Sequence, residues 1–154
     1  MNATTSFEQI LKEKGILVYP NAGVSMMPLL RQGKDLMVIR ARGSERLGRW
    51  DAVLFKRRNG QYVLHRILKI REKDYVICGD NCWRREYGIT DEQILGVLTA
   101  VVRGGQKTIR VTDLRYRCYV WLWCGLYPFR AAVLWSLEKC KALFRHMIHK
   151  RNDD

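Results

Sequence analysis

Apolar residues at Phe7, Ile10 and Leu11 are spaced for one side of a helix, follow Thr5 and Glu8 in a capping-box arrangement, and stop at Gly15. The spacing predicts a short N-terminal helix with a capped start and a glycine end. Beyond it the helical period disappears. Segments 16–19, 36–39, 52–56, 62–68, 75–78, 94–102 and 108–111 are short runs rich in Val, Ile, Leu and Tyr, punctuated by Gly, Asn and Asp. They predict strands of a compact, mainly β domain. Asn59-Gly60 predicts a two-residue hairpin turn that sets Arg58 opposite Gln61 and Leu54 opposite His65. His65 then shares a face with Val63 and Ile67, whereas Arg66 points the other way beside Leu64 and Leu68. Gly104-Gly105 predicts a second tight turn.

After Asp113 the pattern changes again, which predicts a β domain over 1–113 and a helical segment over 114–154. Residues 119–137 are apolar apart from Arg130, Ser136 and a central Pro128, and Lys and Arg surround them. The length just reaches the roughly 20 residues of a membrane span. Arg130 opposes a simple span, because a central arginine costs about 2.5–3.5 kcal/mol on insertion scales. Val133, Leu137, Cys140, Phe144 and Met147 recur at helical spacing with Lys and Arg between them, the pattern of a basic amphipathic helix. Three uses compete for this segment: packing on the domain or a second copy of the chain, interfacial membrane contact, and a true span. Trp121, Trp123 and Trp135 favour the headgroup region and so the second.

At 154 residues the chain suits one domain with a sizeable core and an appendage. A formal net charge of +13 suits an anionic partner, either acidic lipid or nucleic acid. The basic residues are not interleaved with aromatics along the strands as in single-strand binders, which ranks nucleic acid low. Five cysteines without a C-x-x-C pair predict neither a zinc site nor a disulfide framework. The N-terminal stretch carries charges where a signal peptide needs its apolar region, so no cleaved targeting segment is expected.

One stretch stands apart from these elements: NAGVSMMPLL, residues 21–30. Pro28 has a fixed φ and no N–H and biases Met27 toward extended backbone, so Ser25 sits on a stiff turn rather than inside a helix. A serine becomes a nucleophile when a base takes its proton and backbone N–H groups stabilise the oxyanion. His146 and His149 lie in the basic tail and read as solvated. His65 lies on a strand, and Asp80 in CGDN follows another strand at a turn, where its carboxylate can accept the second ring N–H of an imidazole. Ser25, His65 and Asp80 are therefore a candidate triad.

GVSMMP at 23–28 resembles the S-M-x-P box of type I signal peptidases. RQGKDLMVI at 31–39 and GRWDAVLF at 48–55 resemble the strands that follow it, and VLHRILKI at 63–70 resembles the block bearing the base. CGDN and ILGVL resemble the last two blocks, so the likeness runs over residues 16–102. In bacterial members and LexA-like self-cleaving proteins the base is a lysine before an arginine. Here His65-Arg66 stands there, as in the archaeal and endoplasmic-reticulum type. The resemblance implies a signal-peptidase-like fold, Ser25 as nucleophile, His65 as general base and Asp80 as orienting acid. Bacterial members usually carry a hydroxyl residue two positions before the nucleophile. Gly23 stands there in this chain, which leaves the oxyanion to the Ser25 N–H and another amide. A second acid after the GDN block, frequent in the histidine type, has only Glu86 to fill it.

The expected function is a serine endopeptidase that cleaves signal or leader segments from other polypeptides, with no metal or organic cofactor. Gly23, Val24, Met26 and Pro28 are the expected substrate or oxyanion contacts, with Met26 lining a small apolar subsite. The expected setting is membrane-associated on a side the residues do not fix, with a cytoplasmic setting as the alternative, contact through 114–154 and a homo-oligomer as an option. Two alternatives are a LexA-like self-processing regulator and a non-catalytic basic binding module on the same fold. Only 24 residues precede Ser25, too few for a DNA-binding helix-turn-helix domain, which weakens the first.

Overall fold

The computed structural model describes residues 6–152, with side-chain environments through Lys141. The fold is mainly β, an antiparallel eight-stranded sheet with three α-helices. Helix α1 (Phe7–Lys14) precedes strands β1 (Ile16–Pro20), β2 (Asp35–Ala41), β3 (Ala52–Lys56), β4 (Tyr62–Ile70), β5 (Tyr75–Cys78), β6 (Glu86–Ile89), β7 (Ile94–Arg103) and β8 (Lys107–Arg110). Helices α2 (Leu114–Gly125) and α3 (Tyr127–Asn152) follow. The strand order is β1-β2-β7-β3-β4-β5-β6, and β8 pairs with the far half of β7.

Seven strands lie where the apolar runs predict them; β6 is additional. Its sequence, EYGI, has one buried apolar residue and a glycine, too little for a periodic signal. The cap of α1 lies one residue later than expected. Ser6 Oγ accepts from the Gln9 N–H and Gln9 Oε1 accepts from the Ser6 N–H, so the capping box is Ser6 with Gln9. Thr5 lies outside the described residues, as do the side chains of Phe144, His146, Met147 and His149.

The β3–β4 hairpin also differs from expectation. The Arg57 N–H donates to the Gln61 carbonyl and the Gly60 N–H to the Arg57 carbonyl, leaving a three-residue loop over 58–60. Gly60 alone in that loop has positive φ (85°), the geometry of a type I turn closed by a glycine bulge. A two-residue Asn-Gly turn needs positive φ at both central residues, and Asn59 lacks it. Val53 therefore faces His65 and Leu54 faces Leu64.

Strand β3 shows how the core is divided. Ala52 and Leu54 join one apolar cluster with Leu30, Ile39, Leu64, Leu98 and Val101, while Val53 and Phe55 join another with Ile67, Tyr75 and Ile77. This is the alternation of a strand buried on both faces. The first cluster continues past residue 113, because Tyr116, Val120 and Cys124 turn the inner side of α2 into it. The start of the C-terminal segment thus belongs to the core. Among the described residues, no helix is long and apolar enough to cross a membrane.

Arg66 and Asp80 are both about 1% exposed and join the sheet to the helices. The Arg66 guanidinium donates from Nε and Nη2 to the two carboxylate oxygens of Asp80 at 2.8 and 2.7 Å, and from Nη1 to the Trp50 carbonyl at 2.8 Å. Tyr119 Oη donates to Asp80 Oδ2 at 2.9 Å. The Asp80 carbonyl accepts from Trp123 Nε1 at 2.8 Å and from Arg130. Arg130 also lies over the rings of Trp123 and Tyr127. Its charge is thereby accommodated within the protein. Removing one member of such a buried pair leaves the other uncompensated, so Asp80→Ala is expected to cost about 3–5 kcal/mol in urea unfolding. An Asp80→Ala midpoint equal to wild type would refute this role.

Candidate functional site

Residues 24–30 form a run of turns held on both sides. On one side Asn21 Nδ2 donates to the Gly23 carbonyl at 2.7 Å and the Leu30 carbonyl at 3.3 Å. Arg103 reaches the Leu29 carbonyl and the fully buried Asp35, which also accepts from the Arg31 backbone and guanidinium and from the Gly104 N–H. On the other side the Asn81 N–H donates to the Ser25 carbonyl at 2.7 Å, and Asn81 Nδ2 donates to the Val24 carbonyl at 3.3 Å. The segment after β5 is thus stapled to the serine loop.

Gly79 permits that close approach. A β-carbon at this position would lie 2.6 Å from the Ser25 carbonyl oxygen, 2.9 Å from Cys82 Sγ and 3.0 Å from His65 Nε2. The serine loop and the imidazole thus converge on the space left by one missing side chain. Ser25 and His65 also line a single cavity of about 460 Å³ with Gly23, Met37, Leu54 and Leu64 among its walls. Ser25 is half-buried and His65 is 5% exposed.

The second ring nitrogen meets a carboxylate, and it is Glu86. His65 Nδ1 lies 2.8 Å from Glu86 Oε1. The approach is off the N–H direction, so Nδ1 makes no well-aligned hydrogen bond, and the contact is an ion pair when the ring is protonated. Arg57 grips the same carboxylate in a fork, Nε to Oε2 at 2.8 Å and Nη2 to Oε1 at 2.7 Å, and its Nη1 donates to Gln61 Oε1 at 2.6 Å. Burial alone would raise the Glu86 pKa, but His65 and Arg57 outweigh it and hold it at about 2, against an ordinary 4.5.

Of the residues expected at the site, the fold brings together Ser25, His65 and Gly23. Asp80 does not meet His65; its oxygens are taken by Arg66 and Tyr119, because Arg66 faces away from His65 on the same strand. Met26 is 1% exposed and packs in the core with Leu29 and Leu30, where it anchors the loop instead of lining the cavity. Val24 and Pro28 are exposed and lie outside the cavity wall. Glu86 and Arg57 were not foreseen in this arrangement. Glu86 was legible only as the acid following the GDN block; nothing in the residues marks Arg57, whose partner sits 29 positions away. All five cysteines are free thiols, and burial pushes Cys78 up to about 11.

No protein-family model, curated protein or solved structure matches the chain.

Gly79→Ala forces backbone to move at the Ser25 carbonyl and is expected to lower the thermal midpoint, with a loss above 1 kcal/mol typical of overpacking; an unchanged midpoint would contradict the close approach. Because folding depresses the Glu86 pKa, its stabilisation is present above pH 4.5 and lost as pH falls toward 2. Melting curves at pH 5 and pH 3 should therefore show a smaller acid-induced loss in Glu86→Gln than in wild type.

Proposed function

We propose that this chain is a serine endopeptidase of signal-peptidase type that removes leader segments from other polypeptides. The observation carrying this reading is the placement of His65, with Nδ1 against a carboxylate and Nε2 beside the serine loop and its cavity. A histidine placed to serve only packing has no need of two such different neighbours. The resemblance of the serine and histidine blocks to the signal-peptidase motifs supports the same reading.

In the proposed reaction the Ser25 hydroxyl oxygen attacks the scissile carbonyl while His65 Nε2 takes its proton. Glu86 stabilises the resulting imidazolium, and Arg57 keeps that carboxylate in one orientation. Among the described residues the Ser25 N–H has no backbone acceptor, which leaves it able to donate to the oxyanion. The imidazolium then gives its proton to the leaving amine, leaving an acyl ester on Ser25. Water attacks that ester, His65 takes the water's proton, and the proton returns to Ser25 Oγ as the new carboxyl end departs. The walls from Met37, Leu54 and Leu64 suit an apolar side chain near the cut. Strand β1 ends the strand order and offers an edge where an extended segment can add.

Incubating wild type, Ser25→Ala, His65→Ala and Glu86→Gln with a leader peptide and following intact masses tests the proposal. Ser25→Ala should abolish cleavage, His65→Ala should lower kcat by about 10²–10⁴, and Glu86→Gln should lower it less. Cleavage that survives Ser25→Ala rules out the mechanism.

A further inference from the structure

The two C-terminal helices leave an apolar surface uncovered. Fourteen large apolar side chains are exposed among the described residues, and eight of them lie from Leu114 to Leu137, so this exposure is concentrated on the two C-terminal helices. In α2, Tyr116, Val120 and Cys124 are buried, while Leu114, Trp121 and Leu122 are 75, 66 and 53% exposed and border a second, open cavity with Arg46 and Arg49. Leu126 continues that surface to the helix junction, and in α3 Phe129, Val133 and Leu137 recur every fourth residue with Phe129 72% exposed.

Beside this junction is a cavity of about 770 Å³ whose walls include Cys124, Gly125 and Tyr127. Arg49, Lys69, Arg71 and Arg85 line it, and none of its lining residues is acidic. Arg71 is paired with Asp74 outside the lining, whereas Arg49 and Arg85 lie over the rings of Trp50 and Tyr127. Like charges gathered around one concavity repel each other, and an anion seated there relieves that repulsion.

We propose that the outward side of α2 and α3, together with this basic cavity, docks on the surface of an acidic phospholipid bilayer. Anionic headgroups occupy the cavity while Leu126, Phe129 and the neighbouring apolar side chains enter the headgroup–acyl boundary, with Trp121 at the depth tryptophan favours. Nucleic acid would satisfy the cations but leave the apolar side chains in water. The inner face of α2 is already engaged by the core, so the helix lies on the bilayer rather than entering it. This surface is independent of the proposed proteolysis.

The test is cosedimentation of the full chain with vesicles of phosphatidylcholine alone or with one third phosphatidylglycerol. Expected is binding to the acidic vesicles that weakens with salt and is at least tenfold poorer on neutral ones. Arg49→Gln with Lys69→Gln should weaken it on the order of tenfold. Leu126→Asp with Phe129→Asp should abolish it while retaining the wild-type melting curve and any leader-peptide cleavage in solution. Equal binding to both vesicle types, full binding by either double variant, or no vesicle binding by the folded wild type overturns the proposal. So does tighter binding to a single-stranded oligonucleotide that the aspartate variant leaves unchanged.

Discussion

The structure depends on one buried ion pair. Taking the Arg66 guanidinium and the Asp80 carboxylate out of water costs several kcal/mol per ion, and the arrangement is tolerable only because the remaining donors and acceptors are also matched. Trp50, Tyr116 and Tyr119 complete that set, and the carbonyl of Asp80 takes two further donors from the C-terminal helices. Trp50 holds an unfavourable left-handed backbone (φ 76°) while supplying its carbonyl to Arg66 and its N–H to Ile67. The pair thus ties β4, the segment after β5, and α2 into one unit. Gly79 and Asn81 flank Asp80, so the hydrogen bonds that hold the serine loop are fixed by the same charge pair.

Much of the sheet was legible in the residues because seven strands carry apolar runs with turn residues at their ends. Strand β6 was not, since an edge strand with one buried side chain has no period to detect. The one-residue error in the β3–β4 register has a local cause: Asn-Gly fits a two-residue turn and also the last two positions of a three-residue loop. For the candidate site, Ser25 and His65 are singled out by chemistry and by likeness to a known block order, and the fold sets both on one cavity. Asp80 and Glu86 could not be told apart, because both are acids that follow β5 and nothing in their residues says on which face of β4 each one lands. The role of Met26 was misread for a similar reason. The residue after the serine looks available for contact in the sequence, yet the turn folds its side chain inward.

Acidic residues are few in this chain, and several of the buried or half-buried ones are committed to named cations. Asp35 engages Arg31 and Arg103, Asp80 engages Arg66, and Glu86 engages Arg57 and His65. Glu8 bridges Lys56 and Tyr62, which fastens α1 to the hairpin next to the cavity. The surplus of cations is left for the surface, where its counter-charge has to come from outside the molecule.

His65 and Arg66 are consecutive, and the pleat sends them to opposite faces of one strand. Sliding β4 along its neighbours by a single residue would exchange them, burying an imidazole where a permanent cation must neutralise Asp80 and presenting a guanidinium to Glu86 and the cavity. Both faces would fail together. The alignment of this strand is therefore guarded twice over, and the imidazole inherits its placement from the adjacent residue's need for a counter-ion.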